Sequence, residues 1–303
     1  MKQLIGAFII FIGILPNPGT GQSYFYNENY YEPGWLMEAG IFLGAMNCLT
    51  DLGGTYGKGR PFMKDLNLTN SRIATGLFFE ALFNHSIGFR LQVTKGSIKA
   101  FDSILIREKT LSGSRYRRNL HFHSSITEIS LLTELYPLSL LNQVNPSGRF
   151  QYFITGGISR FWFNPIAISK GQWVELQPLR TEGQGLSNGI FGEAYPLSQW
   201  NIPVGMGIRY ELSPHFNLRL ETLGRILFTD YLDDVSTNYC NPDLFYRYFS
   251  PEKAVLAYSL ADKRKNLNNT EAQAGEMRGN PHNNDSYFTL SLSISILLNR
   301  KSR

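Results

Sequence analysis

Reactive groups are few in this chain, and their spacing argues against most enzyme chemistries. His121 and His123 stand two apart, on one face of any strand that holds them. A metal would be held weakly there, because no third donor sits at useful spacing. His85 and His215 fall in short turns and His282 in a long polar stretch, so no nucleophile, base and acid assemble into a triad. Asp230, Asp233 and Asp234 lack the alternating oxygen-ligand spacing of a calcium loop and read as loop caps or a partner contact. No catalytic residue, cofactor or metal site is assigned, and a non-enzymatic protein is expected. The net charge of +5 is too mild and too scattered to point to nucleic acid.

The informative charges are spaced by twos within apolar segments. Glu38, Glu80, Glu128, Glu134 and Glu221, with Arg90, Arg209, Arg219 and Arg225, each occupy the polar phase of an alternating stretch. In Ile87–Thr94, Ile87, Phe89, Leu91 and Val93 share one strand face, while Gly88, Arg90, Gln92 and Thr94 share the other. Near the chain end Phe288, Leu290, Leu292, Ile294, Ile296 and Leu298 alternate with Thr289, Ser291, Ser293, Ser295 and Leu297. A period of two, held for about ten residues and repeated along the chain, is the pattern of a transmembrane β-barrel with lipid on the apolar face.

Eight strands follow: Trp35–Met46, Ile73–Phe83, Ile87–Thr94, Phe122–Leu135, Phe150–Phe161 (ambiguous in facing), Trp200–Glu211, Asn217–Arg225 and Tyr287–Leu298. The fold class is therefore all-β, an eight-stranded antiparallel barrel of the outer-membrane type with long external loops. Short links such as Asn84–Ser86 and Ser213–Phe216 alternate with long ones, Asn47–Arg72, Lys95–His121, Trp162–Gln199 and Ile226–Ser286. That parity, with an even strand number, places both termini in the periplasm. A soluble β-sandwich also needs alternating strands, but not this loop parity, and it would tolerate interior charge on several strands poorly. Lys2, the apolar run Leu4–Leu15 and the small residues Gly19–Gly21 read as a signal peptide over residues 1–21, too short in its apolar core to span a bilayer. The barrel domain is then 22–303, exported to the outer membrane and expected to be monomeric.

Eight strands enclose room for side chains and little else. The nine inward charges are expected to pair as a structural plug, because an unpaired buried charge is costly. Cys48 follows the first strand and Cys240 lies in the last long loop; the barrel closure would bring them together as a disulfide, permitted in an exported protein. Glu175, Asp230, Asp233 and Asp234 are expected to accept loop backbone hydrogen bonds and to tie the loops into a lid. Arg115, Arg117 and Arg118 form a basic cluster that reads either as a contact for acidic lipopolysaccharide or as a solvated tip. Lys263-Arg264-Lys265 is expected in a mobile polar segment.

Several loop segments are more distinctive than generic barrel sequence: YEPGWLMEAGIFLGAMNCLTDLGG from Tyr31, WVELQPLRTEGQGL from Trp173, FTDYLDDVSTNYCNPD from Phe228 and MRGNPHNNDSYF from Met277. Together they resemble the PorG-like family of Bacteroidetes outer-membrane barrels, over nearly the whole stretch from Tyr31 to Leu298. The resemblance implies a structural or docking component of the type IX secretion and gliding machinery. It also implies periplasmic partners resembling the PorK and PorN ring proteins, met by the turns around His85, Tyr136–Arg149 and Ser213–Phe216 and by Gln22–Pro33. It brings no catalytic residues. The ending Asn299–Arg303 departs from the terminal aromatic usual in outer-membrane barrels. The alternative expectation is a stand-alone barrel with an adhesion or envelope-stability role.

Overall fold

A computed structural model of the chain describes residues 30–31, 34–53, 67–103, 113–141, 150–186, 192–265 and 270–302. The expected signal peptide, residues 1–21, lies outside the described residues. Eight long strands close on themselves: β1 (Trp35–Leu49), β2 (Arg72–Phe83), β3 (Ile87–Phe101), β4 (His121–Leu135), β5 (Phe150–Ser169), β6 (Ser198–Glu211), β7 (Phe216–Leu227) and β8 (Ser286–Leu297). Each pairs antiparallel with its sequence neighbours, and β8 pairs with β1 to seal the cylinder. Among the described residues, no helix is long and apolar enough to cross a membrane.

The register fixes the barrel's shape. Trp35 lies opposite Phe83, Phe83 opposite Ile87, Ile87 opposite Leu135, and Leu135 opposite Ile154. Ile154 lies opposite Met206, Met206 opposite Thr222, Thr222 opposite Leu290, and Leu290 opposite Ala45. One circuit thus leads from position 35 to position 45 of β1, a shear of ten residues. With ~3.3 Å per residue and ~4.8 Å between strands, this shear tilts the strands by about 40° and makes each residue climb about 2.5 Å along the axis.

That tilt levels the outward apolar residues into one belt. It begins at Trp35 and Phe216 and ends at Ile73, Ile226 and Phe288, a height of about 28 Å by the same rise, close to the apolar band of a membrane barrel. Ile41 is 63% exposed, Leu131 58% and Leu292 57%, whereas Glu80, Glu128 and Arg219 are at most 1% exposed. A soluble barrel would reverse this partition, because so large an exposed apolar belt has no partner in water. The chain is a closed, membrane-spanning β-barrel of the outer-membrane type. Aromatic pairs mark the lower margin, with Trp35 against Phe83 at 4.9 Å and Phe150 against Tyr210 at 4.7 Å between ring centroids. Trp162 and Trp200, both exposed, stand at the upper margin.

At the end with short turns, Asn84 and His85 take left-handed φ values of 45° and 52° to close the β2–β3 hairpin. The terminal segments seal the same end: Tyr30–Tyr31 pairs with Lys301–Ser302, and Asn299 bonds the backbone of both Trp35 and Met37. At the other end β3 and β5 run past the expected ends at Thr94 and Phe161 to Phe101 and Ser169. Above the lipid belt their outward positions turn polar (Lys95, Ser97, Lys99, Asn164), so the apolar alternation stops while the ladder continues. Gln172–Glu175 folds back on β5 through a turn at Lys170-Gly171. The loop-end segments also contain helices α1 (Gly113–Arg118), α3 (Asp243–Tyr248) and α4 (Pro251–Ala261), and the short α2 (Pro137–Leu141) lies at the turn end.

Candidate functional site

The lumen is filled in tiers. At the turn end Leu36, Leu82, Tyr136, Phe153 and Leu297 form a buried apolar plug. Above it the guanidinium of Arg219 reaches three carboxylates: Glu80 in a short contact, Glu134 at 3.0 Å and Glu38 at 3.5 Å. Arg209 pairs with Glu38 at 2.7 Å, and Arg90 bridges Glu134 at 2.9 Å and Glu221 at 2.5 Å. The Tyr136 hydroxyl donates to Glu134 at 2.8 Å. Arg219 is also flanked by the rings of Phe78 and Phe153, at 5.2 and 5.3 Å. Higher up, Arg225 meets Glu128 at 2.9 Å, and Asn201 and Tyr287 donate to the same carboxylate.

All nine charged residues expected inside are therefore brought into contact with opposite charge. They are set there by strand phase: Glu38 two residues after Leu36, Arg219 two after Asn217, Glu80 two before Leu82. With five carboxylates facing four guanidinium groups, the lower network is shared and the upper one is a closed pair with polar support.

Above the upper pair the barrel continues into a protein-like core. Met46, Ile98, Phe122, Ile126 and Phe161 from the strands pack with Leu232, Val235, Phe245, Ala254 and Leu260 from the last loop. The loops over this core are joined by buried polar links. Asp233 accepts hydrogen bonds from the backbone N–H of Leu52 and Val235, both at 3.0 Å. Asp234 accepts from the Thr181 hydroxyl at 2.5 Å and the Tyr195 hydroxyl at 2.7 Å. Glu182 accepts from the backbone of Ser236 and Thr237 and pairs with Arg278 at 2.9 Å. Asp230 is buried close to this group, whereas Glu175 accepts from Asn164 at 2.9 Å on the exposed β5 hairpin, outside the cap.

Burial raises Asp233 to about 8, with Asp51 adding to the shift; burial likewise raises Asp230 to about 8. Burial lifts Asp234 only to about 6, because Arg278 and its two hydroxyl donors oppose the shift. Sequence reasoning did not single out Asp102, Glu182 or Arg278, which hold much of the cap. No local pattern marks them, since their partners lie on other loops.

A cleft of about 1000 Å³ opens in the cap between the loops, lined by Asp51, Asn70, Arg118, Tyr239, Arg278 and Asp285 among others. Its polar groups are largely turned into the fold: Arg118 spans both oxygens of Asp102 at 2.9 and 3.0 Å and donates to two loop carbonyls. Among the described residues, no three His, Cys, Asp or Glu side chains are grouped to hold a metal ion.

Besides Glu175, expected in the lid and found outside it, three expectations are corrected. Cys48 and Cys240 are free and buried; the Cys48 thiol lies 3.9 Å from the Lys99 carbonyl of β3 and forms no bridge to Cys240. Of the basic cluster, Arg118 is a buried cross-link and Arg115 donates to Gly53, leaving Arg117 exposed. Lys263 is buried, its ammonium 3.0 Å from the Ile168 carbonyl, and Arg264 pairs with Glu276 at 2.7 Å, so this part of the segment is held by the fold. Burial lowers Lys263 to about 8.

No family model matches the chain, and no curated protein matches it. Among solved structures it is similar to Neisserial surface protein A, with a TM-score of 0.38 and 9% identity over 88% of this chain and 98% of that one. It is similar also to Ail of Yersinia pestis, solved with the heparin analogue sucrose octasulfate, at 0.35 and 9% over 86% and 99%. OprG of Pseudomonas aeruginosa gives 0.32 and 10% over 87% and 95%. What identifies the present barrel is its own register, apolar belt and charged interior.

Proposed function

We infer that this chain is an exported, monomeric, non-enzymatic barrel of the outer membrane, with both termini in the periplasm, whose work is done at its two ends. The observation that carries this reading is the double seal. An apolar plug closes the turn end, cross-linked charges fill the middle, and a folded cap closes the loop end. Among the described residues, a lumen packed in this way leaves little room for an aqueous route. What remains available to other molecules is the cap, the lipid belt and the turn-end surface built from α2, the Asn84–Ser86 and Leu212–His215 turns and the paired termini.

The finer reading takes its support from the resemblance to PorG-like proteins: a structural or docking subunit of the type IX secretion and gliding machinery, held at its periplasmic face by PorK- and PorN-like ring proteins. An epitope inserted at Lys170-Gly171, an exposed hairpin turn, allows the intact barrel to be captured from solubilised outer membranes. Recovery of PorK- and PorN-like proteins in fixed ratio, lost when the turn-end residues are altered, supports the reading. A barrel recovered alone, from cells that still secrete normally when the gene is deleted, refutes it. That outcome favours the second reading, a stand-alone adhesion or envelope-stability barrel. The folded cap with its 1000 Å³ cleft is the observation that speaks for this alternative.

A further inference from the structure

The margin of the lipid belt is not the same around the barrel. At the belt's upper edge β7, β8 and β1 present Ile226, Phe288 and Ala45 outward. On β3 and β5 the outward residues at the corresponding edge are basic. Lys95 and Arg160 lie about 26–28 Å above Trp35, at the level where the apolar belt ends, and Lys99, outward on β3, lies about 10 Å higher. These positions adjoin one another in the ladder: Lys99 is opposite His123, Lys95 opposite Thr127, and Thr127 opposite Trp162.

Arg160 is the best-defined member. It faces outward between Ile129 and Trp200. Its Nε donates to the Ser198 hydroxyl at 2.8 Å, and its guanidinium carbon sits 5.2 Å from the Trp200 ring centroid. Both contacts orient the group. Among the described residues no carboxylate forms an ion pair with Arg72, Lys95, Lys99 or Arg160. The carboxylate next along this face, Glu175, stands higher and is bonded to Asn164. A cluster of cations at the boundary between hydrocarbon and water, flanked by interfacial tryptophans, is complementary to a phosphate attached to acyl chains: the chains lie on the apolar belt and the phosphate meets the cations.

We propose that the β3–β5 side of the barrel, through Lys95, Lys99 and Arg160, binds the phosphorylated headgroup of a lipid in the leaflet at the loop end. The site is one-sided, so it sets which flank of the barrel carries bound anionic lipid. It rests on the membrane-spanning reading of the fold.

The test uses the full barrel refolded in phosphatidylcholine vesicles, with Trp35→Phe so that the fluorescence reports the loop-end tryptophans. Brominated phosphatidic acid and brominated phosphatidylcholine are compared as quenchers at equal mole fraction. Preference for the phosphomonoester lipid is expected to be roughly tenfold or more, from several cations each contributing severalfold at an anionic surface. The triple variant K95Q/K99Q/R160Q is expected to fall to within about twofold of no preference, while R117Q, on the cap, keeps the parent's preference. R160Q alone, which removes one cation from an outward position, serves if the triple variant does not fold. Equal quenching by the two lipids in the parent, or a preference that survives the triple substitution, overturns the proposal. Failure of the parent to insert, seen as no quenching by brominated phosphatidylcholine and no heat-modifiable gel mobility, instead overturns the membrane reading beneath it.

Discussion

Arg219 is the junction of the lower lumen, and its removal gives the sharpest test of how that lumen is held. In Arg219→Met the side chain keeps comparable length and its packing between Phe78 and Phe153, but three carboxylates lose a cation. They do not lose equally. Glu38 retains Arg209 at 2.7 Å and Glu134 retains Arg90 at 2.9 Å, whereas among the described residues the only ion pair of Glu80 is with Arg219. The substitution therefore isolates one fully buried carboxylate, and breaking a buried pair in this way costs about 3–5 kcal/mol. That is a factor of roughly 10² to 10⁴ in the unfolding equilibrium constant. Adding Glu80→Gln removes the stranded charge and is expected to recover at least about half of the loss, because a neutral amide carries a far smaller burial penalty than an ion. The assay is reversible urea unfolding in vesicles followed by tryptophan fluorescence, with the single and double variants forming a mutant cycle. A loss below about 1 kcal/mol in R219M, the magnitude of a solvent-exposed pair, would show that water screens the lumen. An E80Q addition that makes matters worse would show that Glu80 is held by something other than Arg219. Either result refutes the tiered plug.

Three further outcomes follow from the cap. Asp230, Asp233 and Asp234 are raised to about 8, 8 and 6, and Asp285 and Asp51 are raised too, all primarily by burial. Unfolded carboxyls titrate near ~4, so between about pH 4 and 8 the folded cap binds more protons than the unfolded one and its stability falls as pH rises. Lys263, lowered to about 8, stays charged in both states through most of that window and leaves the trend intact. Proteolysis of residues 228–285 in sealed vesicles, corrected for protease activity, is expected to be faster at pH 8 than at pH 5, and equal rates would refute the linkage. D233A/D234A strands the Leu52 N–H and two buried hydroxyls at about 1–3 kcal/mol each; it is expected to speed the same cleavage at least tenfold, and an unchanged rate would sink the interlocked cap. Maleimide should label neither Cys48 nor Cys240 in the folded barrel and both in urea, burial having pushed Cys240 up to about 11; an oxidant-dependent mobility shift on a non-reducing gel would restore the bridge.

The strands were legible because lipid imposes a sharper alternation than water does. Wherever both phases of the pattern were distinct, as in Ile87–Val93 or Leu290–Ile296, the facing of the strand followed from hydropathy alone. The limits were physical as well. Above the lipid belt the outward side of β3 and β5 is polar, so the pattern fades where hydrogen bonding does not. On β5 the inward phase carries Phe153, Phe161 and Phe163, apolar on the side expected to be polar, which left its facing ambiguous. In the last long loop, Ser250-Pro251 followed by Ala254, Ala257 and Leu260 at helical spacing was a readable start for α4. The lumen pairs were legible as a set but not as partners, because only the shear decides that Arg219 meets Glu80 and Glu134 instead of Glu128. The thiols misled because adjacency of two chain segments does not aim two Cβ vectors at each other.

The shear of ten has a mechanical consequence. With the ladders inclined at about 40° to the axis, a pull along that axis does not peel one strand from the next. It loads the neighbouring ladders along their length, so many hydrogen bonds must slip together. The internal ion pairs that cross the lumen, such as Arg90 to Glu221 and Arg209 to Glu38, act as struts against flattening of the cross-section. The terminal staple at the turn end, with Arg300 bonded to Glu211 and the Pro214 carbonyl, ties the free chain ends into the same frame. Tension applied at one face would be distributed over the circumference and delivered to the other face, which is the behaviour of a tether post.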